Sequence, residues 1–530
     1  MTDKKEPVKR LPLDKAKVAS KKHVAAISLN YLDFVLIALV FVVALVGALW
    51  GEKIAVNDGL GWDGYIYGNI ARDFSIRNIF NLQLDAYTIQ RILPAVVVHY
   101  ALRLLQSPFS TPNIALGFAL LNVILLTLSA LAWCLICNKL RMNSVGKLIG
   151  FLGIFGSFAL TKWVSFYPVL TDTGGFAISM GMLYFYLSKK KAFLLFLTLV
   201  GAFTWPTLIY EGLLFLFFQK NNNNNEDEWS PVPNQLNARI SFMFSIILLL
   251  GLLWAIAHHD PNVLVPPYES LITNSILVTV LYWFFALAML LDKSRFFNLR
   301  YWLGQVRPVQ WLIILLCTVA IKAVQRLIAP TINPFTDPVS ILSYILLEPV
   351  AAPGKFFVSH LFFFGPVFFF ALFWWKLVTR FVQDQGLGLV LNMVLGLFFL
   401  LDSESRCAIN FFPLFILPVA YVADSFYWRP REWGIFALLT VIFSRVWLPL
   451  NEVPNLIARM FPFFLHDKVY MAEQNAGGVV PDVFYWMSIG PWTSPHGYIL
   501  ETALAIPTGC LLYFLVLRPL SRRTVHSGDG

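Results

Sequence analysis

The chain has 530 residues, of which 58% are hydrophobic, 16% aromatic and only 13% charged, with a formal net charge of +10. Its mean hydropathy is +0.67, whereas soluble globular chains run at about 45–50% apolar and about 25% charged. This excludes disorder, a disulfide scaffold and a nucleic-acid-binding domain as the main body, and leaves an all-α polytopic membrane protein.

An apolar stretch of ~20 residues can span a bilayer. In chain order, twelve such stretches read as spans, near 31–50, 114–137, 148–164, 175–188, 240–257, 274–291, 309–329, 357–378, 387–401, 407–426, 433–450 and 498–518. A further apolar stretch, 193–218, contains Thr204-Trp205-Pro206. Proline removes a helical hydrogen bond and clashes with the preceding turn, so this stretch reads as two half-helices. The implied organisation is a basic tail over 1–30, a module over 31–220 with a first outer loop at 51–113, and an Asn-rich loop over 221–239. A second membrane module follows over 240–518, with outer loops at 330–356 and 451–497, and then a tail over 519–530.

The positive-inside rule orients these segments. With the N-terminus in the cytoplasm, 27 Lys/Arg fall on the inner segments and nine on the outer loops, although the outer loops are longer. The net charge is therefore a topology signal and calls for no nucleic acid. Both termini are expected in the cytoplasm. The basic start lies about thirty residues before a long apolar run, which reads as an anchor and not as a cleavable signal. The inner loops are too short for a nucleotide-binding domain, and neither G-x-x-x-x-G-K-[ST] nor G-x-G-x-x-G occurs. An energy-rich substrate must then be carried in the membrane or bound outside.

The first outer loop holds the most informative residues. Trp62-Asp63-Gly64-Tyr65-Ile66-Tyr67 reads as the start of an interfacial helix with Tyr65, Ile66, Ile70 and Phe74 on one apolar side. Asp63 at its N-terminus is either a helix cap or a general base for an acceptor hydroxyl. Gln90 and Arg91 open a second apolar helix running to Leu105. Arg91 is either a snorkelling arginine or a bidentate phosphate ligand. In the next outer loop, Asp172 also precedes an apolar helix, with the same two readings. Two carboxylates beside a cation suit glycosyl transfer, in which one activates the nucleophile and the cation steadies a leaving phosphate.

The outer turn Asp402-Ser403-Glu404-Ser405-Arg406 places Arg406 for an anionic group, or else for a salt bridge with Glu404 or Asp402. Lys355 and His360 form a weaker pair. His258-His259-Asp260 are adjacent and converge poorly on one ion, so no metal is assigned. The five cysteines lie in or beside apolar runs and imply no disulfide or zinc framework.

Three blocks together resemble the GT-C superfamily of membrane glycosyltransferases, and most of all the bacterial integral membrane proteins distantly similar to the GPI mannosyltransferases. Trp62-Asp63-Gly64-Tyr65-Ile66-Tyr67 with Ile70-Ala71 is similar to the family's "Trp-Asp-x-x-x-Tyr…Ile-Ala" loop. Tyr87 with Gln90-Arg91-Ile92-Leu93-Pro94 is similar to its "Tyr-x-x-Gln-Arg-Ile-Leu-Tyr-Pro" element, one residue short. Thr171-Asp172, a Lys cluster and the run from Leu197 to Thr204 resemble the next block. That block usually continues with an Arg-Glu or similar pair, where this chain has Trp205-Pro206.

The resemblance covers roughly residues 30–220. It implies a GT-C-like bundle in a bacterial inner membrane, working at the outer face. It also implies a polyprenyl-phosphate-linked sugar donor, a glycan, lipid or protein acceptor, and no cofactor. Asp63 takes the role of base and Asp172 that of second acidic partner. Trp62, Tyr67, Tyr87, Gln90, Arg91, Glu404 and Arg406 are then the expected substrate contacts. The rival readings are a carrier or flippase for a lipid-linked glycan, and a non-catalytic scaffold of an envelope-glycan complex. A transporter pathway needs ionisable residues deep in the spans. Lys322 and Arg326 are the only close pair there, while the outer loops hold sixteen Asp/Glu, which favours surface chemistry.

Overall fold

The computed structural model describes residues 29–75, 79–80, 84–219, 234–258, 271–292, 308–331, 337–451 and 495–523. The basic start, most of the Asn-rich loop, most of 451–497, and His259 and Asp260 lie outside them. Among the described residues the chain is helical throughout and forms no strand; one isolated bridge joins Asp85 to Thr331. A helix satisfies every backbone polar group within its own segment, which is what a lipid environment demands.

The helices that matter here are, in chain order, α1 (Tyr31–Trp50), α2 (Asp63–Asp73), α3 (Ile92–Leu104), α4 (Thr111–Lys139), α5 (Ser144–Phe155), α6 (Asp172–Leu187), α7 (Lys191–Gly201), α8 (Leu208–Phe217), α9 (Asn234–Ala257), α10 (Ile272–Leu290), α11 (Pro308–Ile328), α12 (Pro338–Ala351), α13 (Lys355–Phe364), α14 (Val367–Phe373), α15 (Trp375–Gln385), α16 (Leu387–Phe399), α17 (Phe412–Ala423), α18 (Pro430–Ser444) and α19 (Pro495–Leu512).

By length and composition, seven helical segments among the described residues are able to cross a membrane, or nine if two bent pairs each count as one span. The bent pairs are Ser144–Phe155 with Ala159–Phe166, at 54°, and Pro338–Ala351 with Lys355–Phe364, at 99°. The expected twelve are therefore not all long helices. The stretch near 175–188 is the 16-residue α6, and that near 387–401 is the 13-residue α16. The stretch near 357–378 is cut into α13, α14 and α15 at Gly365-Pro366 and Trp374. Gly365 sits at φ +87°, a conformation that ends a helix and that glycine tolerates. The stretch over 193–218 is the expected pair of half-helices, α7 and α8, separated at Thr204-Trp205-Pro206.

Helix α1 begins with a reciprocal cap. Asn30 Oδ1 accepts from the Asp33 amide at 3.0 Å, and Asp33 Oδ2 accepts from the Asn30 amide at 2.9 Å. The same buried carboxylate is paired with Lys147 of α5 and accepts from Asn138 Nδ2 of α4 at 2.9 Å. One satisfied polar cluster thereby pins α1, α4 and α5 at one end, where an unpaired charge would be costly. At the other end of these helices lie the loops that build the candidate site.

Candidate functional site

Helix α2 packs through Gly64, Tyr67, Gly68 and Ala71, all buried, at the three- and four-residue spacing of one helical face. Ile70 and Phe74 are buried beside that face, but Tyr65 and Ile66 point outward and are about half exposed. The apolar side expected from the sequence is therefore divided. The small glycines, not Tyr65 and Ile66, make the packing face, because they let α2 approach closely. A Cβ on Gly64 would meet Val169 and the Tyr167 ring at 3.0 Å. Just before the helix, Gly61 has φ +70°, and a Cβ there would lie 2.3 Å from the Tyr167 ring. Tyr167 fills the corner and its hydroxyl accepts from the Gly64 amide at 3.1 Å.

That contact frees Asp63 from capping. The N-cap position is Trp62, which makes no side-chain capping bond. The Asp63 carboxylate instead accepts from an Arg406 terminal nitrogen at 2.9 Å, while Arg406 Nε donates to Glu404. Asp63 remains 46% exposed at its side chain, so its second oxygen is open to an incoming group. Burial pushes its pKa up, but the Arg406 charge and hydrogen bond, assisted by Arg91, prevail and hold it below the usual carboxylate range. Asp63 is thus ionised at neutral pH.

Arg91 ends a 3₁₀ turn, Thr88–Arg91, and is 4% exposed. Its guanidinium lies 4.2 Å from the ring centroids of both Tyr87 and Trp205, with the Tyr67 hydroxyl within reach. Trp205 comes from the break between α7 and α8, and the Leu93 amide donates to the Phe203 carbonyl at 2.9 Å to hold that break against α3. Two aromatic faces hold a cation in place without neutralising it. Arg91 Nε has no hydrogen-bond partner.

Asp172 opens α6 and likewise does not cap it. It is 2% exposed. Its Oδ2 accepts from the Trp163 indole at 3.1 Å, whereas Oδ1 is unpartnered. Trp163 ends a π-helical stretch, Ala159–Trp163, a deviation often found where a helix must re-aim a functional side chain. Asp172 interacts electrostatically with both Arg406 and Arg91.

The turn carrying Arg406 is tied down residue by residue. Asp402 Oδ1 accepts from the Glu404 amide at 2.7 Å, and Ser403 Oγ donates to Glu348 of α12. His360 Nε2 lies 2.8 Å from the Leu400 carbonyl and therefore carries the proton; Nδ1 then accepts from Ser405 Oγ at 2.9 Å. Lys355 is buried near Glu348. Lys355 and His360 thus support the turn and do not face the Asp63–Arg406 pair.

Of the residues expected from the sequence, Asp63, Asp172, Tyr67, Tyr87, Arg91, Glu404 and Arg406 form one electrostatic neighbourhood. Trp62 stands 41% exposed at its rim. Gln90 faces elsewhere: Nε2 donates to the Ala86 carbonyl at 2.6 Å, and Oε1 lies 3.4 Å from Lys322. Sequence reasoning missed Tyr167, Trp163 and Trp205, which hold the key side chains.

Glu211, visible in the sequence as the acidic residue beyond Trp205-Pro206, was given no role. This fully buried carboxylate accepts from Ser179 of α6 at 2.6 Å and from Asn410, at the end of the Arg406 turn, at 3.0 Å. The only sequence signals were an acidic residue inside an apolar run and a tryptophan beside a helix-breaking proline. Among the described residues no group of three His, Cys, Asp or Glu has a metal-binding arrangement. No family model matches this chain, and no curated protein or solved structure matches it.

Proposed function

We propose that this protein is an inverting membrane glycosyltransferase of the GT-C type, in a bacterial inner membrane, taking its sugar from a polyprenyl-phosphate donor at the outer face. The observation that carries the reading is the half-exposed Asp63 carboxylate, uncoupled from its helix and paired with Arg406, beside a second arginine whose Nε is unpartnered. A base and two cations at one site are what transfer from a sugar phosphate requires.

In this reading the acceptor hydroxyl oxygen attacks the anomeric carbon. The carbon–oxygen bond to the phosphate breaks, and the polyprenyl phosphate departs with the electron pair. Asp63 takes the hydroxyl proton. Arg91 and Arg406 meet the charge that develops on the leaving phosphate. Arg406 has a dual allegiance. A phosphate that draws it away from Asp63 removes the interaction that depresses the Asp63 basicity, so donor binding strengthens the base. Asp172, turned to the Trp163 indole, holds the charge balance behind the two arginines.

The test is a choice of donor. Purified protein is offered either a radiolabelled polyprenyl-phosphate sugar or the matching nucleotide sugar, with envelope glycan, lipid and protein acceptors. Transfer is expected from the lipid donor. Transfer from the nucleotide sugar in the absence of any lipid carrier overturns the assignment.

A further inference from the structure

Helix α11 is the least enclosed of the candidate spans among the described residues, with only 11% of its apolar window buried. Val319, Val324 and Leu327 all point outward. Lys322 sits on this helix, six residues before its end, or about 9 Å along the axis. A charged group inside a membrane is costly and is normally paired. Yet the structure pairs Lys322 with no carboxylate among the described residues. Its polar neighbour is Gln90 Oε1, at the 3.4 Å limit of a hydrogen bond, and its ammonium lies 5.9 Å from the Tyr210 ring.

The surroundings fix where this cation stands. Gln325 Nε2 of α11 donates to the Ala202 carbonyl at 2.7 Å, beside the α7–α8 break. The Ala86 amide donates to the Thr331 carbonyl at 3.1 Å, and Thr331 Oγ1 donates to the Leu84 carbonyl at 3.0 Å. The end of α11 is therefore fastened to the first loop, and Lys322 reaches the 3₁₀ turn that carries Arg91. Gln90 faces the lipid-side cation and Arg91, its neighbour in sequence, faces the site. The turn thus presents one polar side chain to each.

We propose that Lys322 and Gln90 form a receiving point for a lipid phosphate on the bilayer-facing side of the site, from which the headgroup passes to Arg91. This rests on the lipid-linked donor proposed above. An under-compensated ammonium on a lipid-facing helix is suited to a phosphate presented from within the leaflet, and the amide supplies a second, neutral contact.

The test reads binding and does not depend on transfer. The purified full chain in detergent is titrated with undecaprenyl phosphate, and separately with phosphatidylglycerol, and bound lipid is counted by native mass spectrometry. Lys322→Gln is expected to weaken undecaprenyl phosphate binding by roughly 10-fold, the usual loss for a charge-assisted contact. Lys322→Arg should retain it, and Arg326→Gln, which removes an exposed charge from the same helix, should leave it unchanged. Gln90→Leu should weaken it to a smaller degree, and it serves as the deciding variant if Lys322→Gln does not fold.

Equal binding by the wild type, Lys322→Gln and Gln90→Leu overturns the proposal. So does a loss confined to phosphatidylglycerol, which would make Lys322 an anchor for bulk lipid. Lys322-dependent binding in a chain that transfers no sugar retires the proposed reaction and leaves the receiving point standing.

Discussion

Two helices, α2 and α6, begin with an aspartate, and in neither does that aspartate cap the helix. At α2 the Tyr167 hydroxyl takes the Gly64 amide, and Asp63 turns to Arg406, half exposed. At α6 Asp172 turns inward to the Trp163 indole and is almost fully buried. The same residue at the same helical position thus acquires opposite environments. The neighbours that cause this are aromatic residues at 163 and 167, within one short stretch of chain. One carboxylate is left accessible, and the other is enclosed.

The sharpest way to break this comparison is to neutralise each aspartate in turn. Asp63→Asn is expected to lower transfer by about 100- to 10,000-fold, the usual contribution of a general base, with membrane insertion unchanged. Near-normal product would mean that Asp63 serves only to seat Arg406, since the Asn amide oxygen can still accept from that guanidinium. The acid limb of the wild-type kcat/KM profile, which reports the enzyme before donor draws Arg406 away, sharpens the point. Activity requires the ionised form and the Asp63 pKa is lowered, so its limb should fall below about pH 4, the ordinary aspartate value. A limb near neutrality would assign the base elsewhere.

A smaller effect is expected at Arg91. Arg91→Lys keeps the charge but loses the planar fork and its stacking between Tyr87 and Trp205. It should raise the KM for the lipid donor by roughly 10-fold, and Arg91→Ala should raise it further. An unchanged KM in both would show that Arg91 only supports the fold. Asp172→Asn should cost less than Asp63→Asn, because the amide oxygen can still accept from Trp163. Transfer is expected to fall by roughly 10-fold, with the thermal midpoint held or raised. A loss as large as that of Asp63→Asn would erase the distinction between the two aspartates.

The smallest intervention leaves the site untouched. Asp58→Cys, before α2, should label with an impermeant maleimide from outside the cell, whereas Lys190→Cys, after α6, should label only once the membrane is opened. The reverse pattern would invert the topology and with it the face at which Asp63 acts.

What was legible in the sequence follows a physical rule. Asp63, Arg91, Asp172 and Arg406 stand out because a charge at the edge of an apolar run needs a reason. The α7–α8 break was legible because proline cannot continue a helix. Helix continuity elsewhere was not: apolar composition reports the surroundings of a segment, not whether its backbone stays unbroken. The run over 357–378 therefore hid the turns at Gly365 and Trp374. The tie from Glu211 to Ser179 and Asn410 spans 32 and 199 residues of sequence, and no local pattern encodes it. Trp205 had a visible marker in Pro206, but its stacking on Arg91 depends on how the break folds back on α3.

The Glu211 carboxylate also bears on how the site accommodates a bound substrate. It grips α6, which begins with Asp172, and the turn that begins with Ser405 and Arg406. Sliding one against the other would strand a buried polar group, a penalty of about 1–3 kcal/mol. Asp172 and Arg406 are therefore geared together and behave as one jaw. The second jaw is α2, a short helix seated on glycines; His99 and Thr111 hold its last turn, at Ala71 and Arg72, and the Tyr167 hydroxyl holds its first. In the proposed transfer, adjustment to substrates of different size falls to the first turn of α2, which carries Asp63, and the arginine side supplies a fixed gauge.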